Sequence, residues 1–435
     1  MNHSFALSCA ITLAAALVSG QPAALNPQER SIVDRIDTRH AAAIALLERA
    51  VNINSGTQNF AGVREVGKLF AAEFERLAFR TRWVDGAPFK RAGHLIAERP
   101  GPGRKFLLIG HLDTVFEPSS PFQKFERIDE THARGPGVID MKGGIVVMLH
   151  ALDALDAAGV LKNMNVTVVL NGDEESAGEP QALARAALVE AAKGAAVAIG
   201  FEDGAGDPRT AVIGRRGTTA WTLKVAGKPA HSSQIFRDDI GYGAIFEAAR
   251  IVNQFRETLG GERYLTFNPA LMLGGTSVEV DAVQARGTAF GKDNVIPEHA
   301  VVSGDLRALS REQFENARKR MTAIVTSSSL AHTKAEITFD EGYPPLTPTE
   351  GNKKLLAMYD RASQDVTAGP VVAVDPQRAG AADVSFVADY VPMILDGIGL
   401  MGDGGHTVTE TADLRTLPSQ TKRAALLLYR LATND

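Results

Sequence analysis

Residues 105–115 read KFLLIGHLDTV. Phe106, Leu107, Leu108 and Ile109 are all apolar, which is the pattern of a strand covered on both faces rather than one. His111 and Asp113 follow where that strand ends. Ligands in open α/β sheets gather at the carboxyl ends of strands, so polar residues at this position carry information.

Working outward, the layout repeats. MKGGIVVMLHALDAL (141–155) has helical spacing, NVTVVL (165–170) reads as a second buried strand, PQALARAALVEAA as a helix and AVAIGF (196–201) as a third strand. Residues 26–51 and 61–77 carry helical spacing ahead of them. Strands alternating with amphipathic helices predict an α/β fold, a mostly parallel sheet flanked by helices. The texture changes near Ala211: TTAWTLKVAG alternates, and a helix (240–259), strands (271–280, 300–306), a helix (311–324) and the strand AEITF complete a β-α-β-β-α-β order. EGYPPLTPT (341–349) reads as a return linker, after which a helix (352–362), the strand VPMILDG and a last helix (420–431) resume the α/β texture. The expected organisation is a first α/β part over residues 23–211, an inserted α+β sandwich over 212–342, and a second α/β part over 343–435.

Composition agrees. The 435 residues are 45% hydrophobic and 22% charged, which excludes wholesale disorder and a fibrous protein. A net charge of −5 argues against a general nucleic-acid binder. The one cysteine, Cys9, excludes a disulfide framework and a thiolate zinc site. Cys9 lies in FALSCAITLAAALV (5–18), an apolar run too short to span a bilayer comfortably and followed by Ser19 and Gly20. This reads as a signal peptide over residues 1–22, although its start lacks Lys and Arg, and it predicts a periplasmic or secreted protein with no membrane segment in the mature form.

Four strand ends carry metal-type ligands: His111 with Asp113, Asp140 in GPGVIDMKGG, Glu174 with Glu175 in NGDEESAG, and Glu202 in FEDG. GDGGH adds His406. Each alone has a bland explanation; Asp140, for one, suits a helix N-cap. Their recurrence decides otherwise. Clustered carboxylates repel one another and resist ionisation, and a divalent cation removes that cost. Imidazole and carboxylate without thiolate suit zinc best, with manganese or cobalt as replacements. Adjacent residues on an extended segment point to opposite sides, so one of Glu174 and Glu175 can ligate while the other faces the reacting water. Asp113 is placed to accept the second N–H of His111.

Taken together, HLDTV, GPGVIDMKGG, NGDEESAG, FEDG, GKPAHSS and GGHTVTE resemble the di-zinc metallopeptidase family of glutamate carboxypeptidases, aminoacylases and succinyl-diaminopimelate desuccinylases, in order over nearly the whole chain after the leader. GPG ahead of Asp140 and a Glu after Phe201 resemble its carboxypeptidase G-like branch. The resemblance implies a zinc exopeptidase type of sheet, with the inserted domain as lid and dimerisation surface of a homodimer. It implies two metal ions bridged by Asp140, with His111 and Glu202 completing one site and Glu175 and His406 the other. The Asp140–Met141 peptide would be cis, Glu174 the general acid/base, and Asp113 the residue orienting His111. His231 would stabilise the oxyanion, and Asn294, Arg307 and Arg378 would bind substrate. Around Arg378 the chain has Ala where relatives usually have Gly and Thr or Ser, which leaves the specificity pocket open. Surface charge is the expectation for at least one of Arg215 and Arg216, and an ordinary structural role for His40, His94, His132, His150, His299 and His332.

The implied reaction is hydrolysis of an amide by metal-activated water, releasing a C-terminal, glutamate-like amino acid from a small peptide. The alternatives are an N-acyl-amino-acid deacylase or desuccinylase, and a non-catalytic binding protein on the same fold. GIGLMG (397–402) matches a dinucleotide fingerprint but is followed by DGGHTVTE rather than a periodic helix. HExxH and GxSxG are absent from the sequence.

Overall fold

A computed structural model describes residues 25–281 and 286–433. The expected signal peptide, with Cys9, lies outside the described residues. Among those described, no helix is long and apolar enough to cross a membrane.

The larger sheet has six strands in the order Arg80–Asp85, Gly93–Arg99, Asn165–Asn171, Lys105–His111, Ala195–Gly200 and Ile394–Leu395. The last four run parallel to one another, while the first two form an antiparallel margin. Alternate side chains of Lys105–His111 enter different cores. Phe106 and Leu108 pack with the helices Pro27–Val51, Lys142–Ala157 and Thr416–Thr433, whereas Leu107 and Ile109 pack with Leu188, Ala192 and Val384. Coverage on both faces is why this strand reads as an unbroken apolar run, and each such side chain contributes about 1.5–3 kcal/mol on burial.

The structure differs from expectation in three places. The margin strands Arg80–Asp85 and Gly93–Arg99 were not foreseen; they carry mixed polar and apolar residues without the parallel-strand signature. The stretch PQALARAALVEAA forms two short helices, Gln181–Ala184 and Ala186–Ala192, broken at Arg185, whose guanidinium is buried. VPMILDG contributes only Ile394–Leu395 to the sheet.

The second sheet is separate and wholly antiparallel, in the order Thr266–Gly275, His299–Ala308, Gly217–Gly227 and Thr333–Phe339. Gly243–Leu259 and Arg311–Ser327 cover one face through Trp221, Leu223, Phe255, Val302, Leu306 and Met321. An extra hairpin, Ser277–Asp281 with Arg286–Phe290, follows the strand Thr266–Gly275.

The chain passes between the sheets twice, and the two passages are bonded to each other. Arg215 N–H donates to Leu346 O at 2.9 Å, Leu346 N–H to Arg215 O at 3.0 Å, and Thr218 N–H to Tyr343 O at 3.0 Å. Gly217 lies so close to this pairing that a Cβ there would come 2.5 Å from Tyr343 O. A small four-stranded sheet completes the frame: Gly402–Asp403 and Thr411–Asp413 form a hairpin with His406 in its loop, and Thr411–Asp413 pairs with His132–Arg134, just ahead of the Asp140 loop.

Candidate metal centre

His111 closes the strand Lys105–His111, and Asp140 stands just before the helix Lys142–Ala157. Glu175 and Glu202 follow the strands Asn165–Asn171 and Ala195–Gly200. His406 has a positive φ of 64° in its loop, and the Asp140–Met141 peptide is cis. These elements bring two groups together: His111, Asp140 and Glu202, and Asp140, Glu175 and His406. Asp140 serves both, one oxygen to each side. His111 Nε2 lies 3.1 Å from Asp140 Oδ1 and 3.5 Å from Glu202 Oε1, while His406 Nε2 lies 2.9 Å from Asp140 Oδ2 and 3.1 Å from Glu175 Oε2.

The electrostatics describe a cluster that needs positive charge. Burial pushes Glu202 well above the usual carboxylate range, and the neighbouring charges of Asp140 and Glu174 push it further. Burial and then Asp140 raise Glu175. Hydrogen bonds to Asp140 and Glu175 hold the His406 imidazole up to about 11. Burial opposes a charged His111, yet Glu202, Asp113 and Asp140 still raise it well above its ordinary value. Glu175 Oε1 is buried and has no hydrogen-bond partner. Nitrogen and oxygen donors in two groups sharing one carboxylate, with an oxygen left orphaned, fit a pair of borderline-hard divalent cations.

Glu174 belongs to neither group. Burial raises its carboxyl well above the ordinary range; His111 opposes this, while Asp383, Glu175 and Asp140 add to it. Asp113 is placed differently from expectation. His111 Nδ1 is 3.0 Å from the main-chain carbonyl of Asp113 and 3.5 Å from its carboxylate, so the carbonyl is the nearer acceptor. The carboxylate takes the main-chain N–H groups of Glu174 and Glu175 at 3.0 and 3.1 Å and the Thr57 hydroxyl at 2.7 Å. It thereby fixes the backbone of both glutamates.

Three further supports escaped the sequence reading. Glu410, the last residue of GGHTVTE, is fully buried and accepts N–H from Gly137, Ile139 and Asp140 at 3.0, 2.9 and 3.2 Å, which clamps the Asp140 loop. Arg215 is buried: its guanidinium meets Asp396 at 2.8 Å and Gly380 O at 2.8 Å, and Asp396 accepts N–H from Gly397 at 2.7 Å and, more loosely, from Glu202 at 3.4 Å. Arg185 gathers Asp173 at 2.6 Å, Asp383 at 2.8 Å and the Tyr343 hydroxyl at 2.7 Å, and that hydroxyl donates to Glu174 O at 2.9 Å. Only the motif GGHTVTE, which ends in Glu410, offered a signal; the partners of Arg185 are scattered along the chain.

His231, Asn294, Arg307 and Arg378 belong to neither ligand group. His231 is exposed, bonded to Ser233 Oγ at 2.9 Å, and beside Asn294, whose carbonyl takes Ser232 N–H at 2.9 Å. Arg307 projects from His299–Ala308 and pairs with Asp305 at 2.7 Å. Arg378 is exposed in a turn, its N–H donating to Asp375 O at 2.8 Å. Arg216 ties these regions together, donating to Thr266 Oγ1 at 2.8 Å and Gln377 O at 3.3 Å. His94 has a structural role, with Nδ1 accepting Gly172 N–H at 3.2 Å and Nε2 facing Ala184 O at 2.7 Å.

The sequence model of peptidase family M20/M25/M40 matches residues 107–433. Carboxypeptidase G2 from Pseudomonas sp. (strain RS-16) is 27% identical over 426 residues, 97% of each chain. Succinyl-diaminopimelate desuccinylase from Halorhodospira halophila is 26% identical over 343 residues, covering 75% of this chain and 82% of its own. Among solved structures, aminopeptidase PepT from Bacillus cereus superposes with a TM-score of 0.72 at 18% identity, over 91% of this chain and 99% of its own, a likeness of fold.

Proposed function

The chain belongs to peptidase family M20/M25/M40, and from that premise we propose that it is a secreted or periplasmic di-zinc carboxypeptidase that releases a C-terminal, glutamate-like amino acid. Family membership makes it a metallopeptidase-type hydrolase. The carboxypeptidase reading is supported by similarity to carboxypeptidase G2 along 97% of both chains. The observation that carries the di-metal reading is Asp140, whose two oxygens face two separate ligand groups. Export rests on the apolar run over residues 5–18.

His111, Asp140 and Glu202 would hold one cation and Asp140, Glu175 and His406 the other. Bound there, zinc, or manganese or cobalt in its place, supplies Lewis acidity that lowers the pKa of water towards about 7 and polarises the scissile carbonyl. Glu174, outside both groups, takes the attacking water's proton and returns it to the leaving nitrogen. Asp113 and Glu410 keep the ligand-bearing loops in register, their carboxylates accepting the main-chain N–H groups of Glu174, Glu175 and Asp140. Arg307 and Asn294, with Arg378, grip the substrate carboxylate, a planar anion that a guanidinium fork matches. His231, from the same or a second copy of the chain, donates to the developing oxyanion. A homodimer through the inserted part is supported by Phe236, Tyr242 and Phe246, which are exposed there, the Phe236 ring touching both of the others.

Desuccinylase similarity favours one second reading, removal of an acyl group from an amino acid. Both are tested by incubating the protein with dipeptides, glutamyl conjugates and N-acyl amino acids, with and without chelator, and identifying products by mass spectrometry. Release of free glutamate from glutamyl conjugates, abolished by chelator, is the expected outcome. Cleavage confined to N-acyl amino acids favours the second reading, and binding without cleavage of any amide removes both.

A further inference from the structure

Tyr343 lies in one of the two passages between the sheets, and its main chain and side chain face different partners. Its main-chain carbonyl accepts Thr218 N–H at 3.0 Å, which ties it to the other passage. Its hydroxyl accepts from Arg185 Nη2 at 2.7 Å and donates to the main-chain carbonyl of Glu174 at 2.9 Å. The ring packs edge-on against Phe386, with centroids 4.9 Å apart, and the Arg185 guanidinium stands 5.6 Å from the tyrosine ring centre. Arg185 is itself held at fixed points. It is 1% exposed and meets Asp173 at 2.6 Å and Asp383 at 2.8 Å, and Asp383 also takes the Asn171 amide at 2.6 Å. Asn171 and Asp173 flank the start of the loop that carries Glu174 and Glu175. A buried guanidinium satisfied on several sides is a rigid anchor, and a half-satisfied one is costly, so this network holds one geometry.

Glu174 is therefore fixed from two directions. Asp113 takes its N–H on one side, and Tyr343 donates to its carbonyl on the other. Only the second hold belongs to the passage that leads back from the inserted sheet. On its outer side this passage borders a cleft of about 790 Å³, walled by Lys90, Gly178, Glu179, Thr218 and Asp340, so packing does not seal it. A change in the angle between the two sheets would turn the passage and carry the tyrosine hydroxyl with it.

We propose that Tyr343 is a positioning residue that links the orientation of the inserted sheet to the placement of Glu174, with Arg185 as its fixed anchor. The inference rests on Glu174 being the proton-transferring base described above. Tyr343 touches no reacting atom; it acts through the peptide of Glu174.

The test is Tyr343→Phe in the full-length, metal-loaded protein, since phenylalanine keeps the ring contacts and removes only the hydroxyl. Expected are a fall in kcat of about tenfold or more with KM within twofold, unchanged metal stoichiometry, and amide exchange at residues 172–178 about tenfold faster, the loss corresponding to the neutral hydrogen bond to Glu174 O together with the charge-assisted one from Arg185. Unchanged kcat and exchange overturn the proposal. So does a loss that appears only as a higher KM, or a variant that no longer melts cooperatively, which would make Tyr343 merely structural. If the parent protein cleaves no amide, the function reading fails instead, and the exchange comparison still decides whether Tyr343 fixes the loop.

Discussion

The carboxylate of Asp113 accepts the main-chain N–H of Glu174 at 3.0 Å, and its other oxygen takes that of Glu175 at 3.1 Å. One side chain thus sets the spacing between a metal-type ligand and the proposed base. Asp113→Ala removes both bonds and frees the Thr57 hydroxyl. Metal affinity should fall about 10–100-fold and kcat with it. Metal titration followed by activity at saturating metal checks this. Full turnover once metal is restored would limit Asp113 to ligand support.

Glu174→Gln keeps the shape of the side chain and both ligand groups but cannot accept a proton. Metal content should stay at the parent level while kcat drops about 10²–10⁴-fold. Near-parental turnover in this variant would remove Glu174 from the proton-transfer role.

Chelation should affect stability as well as activity. Without cations, Asp140, Glu175 and Glu202 are left to repel one another inside the fold. At cation concentrations about 1,000-fold above Kd the stabilisation is about 4 kcal/mol, so stripping it should lower Tm by several degrees. Calorimetry with and without chelator measures this. An unchanged Tm would mean the cluster tolerates its own charge.

Far from the centre, burial pushes the His150 imidazole down to about 4, with Asp153 opposing and Arg39, Arg35 and Arg76 assisting. Its folded pKa is below its unfolded one, so its contribution is present above the unfolded value and is lost as pH falls towards the folded value. Between about pH 7 and 5 the parent should lose about 2 kcal/mol that His150→Gln retains. Denaturant midpoints of the two proteins across that interval supply the comparison. Parallel acid limbs would show that His150 is not buried neutral.

Arg307→Ala should raise KM about tenfold or more for substrates with a free C-terminal carboxylate, with little change for the same compounds as amides. Equal effects on both would place Arg307 outside carboxylate recognition.

The parallel strands and the residues at their ends were legible because period and position coincide there: KFLLIG and NVTVVL are buried on both faces, and the stretches that follow them carry His111 and Glu175, which meet around Asp140. The antiparallel margin was not. RTRWVD faces solvent at several positions and has no reason to be uniformly apolar. Long-range polar anchors were equally hidden. Arg185 and Asp383 are 198 positions apart and Asp140 and Glu410 270 apart, and no local pattern marks such pairs. Asp113 shows the limit in miniature: its spacing from His111 suggested one partner, while the fold gives its carboxylate three closer ones.

The outlines of the two sheets bear on aggregation. The large sheet ends at one side in Arg80–Asp85, where Arg80, Arg82 and Asp85 are exposed, and at the other in a strand of only two residues, Ile394–Leu395. Charge at one border and brevity at the other leave little ladder for a foreign strand to copy. The inserted sheet instead ends in Thr266–Gly275, ten residues long, with Pro269 as its one position lacking an N–H. Cross-chain strand addition, whether as orderly pairing or as fibril growth in partly unfolded material, is therefore directed to the inserted sheet.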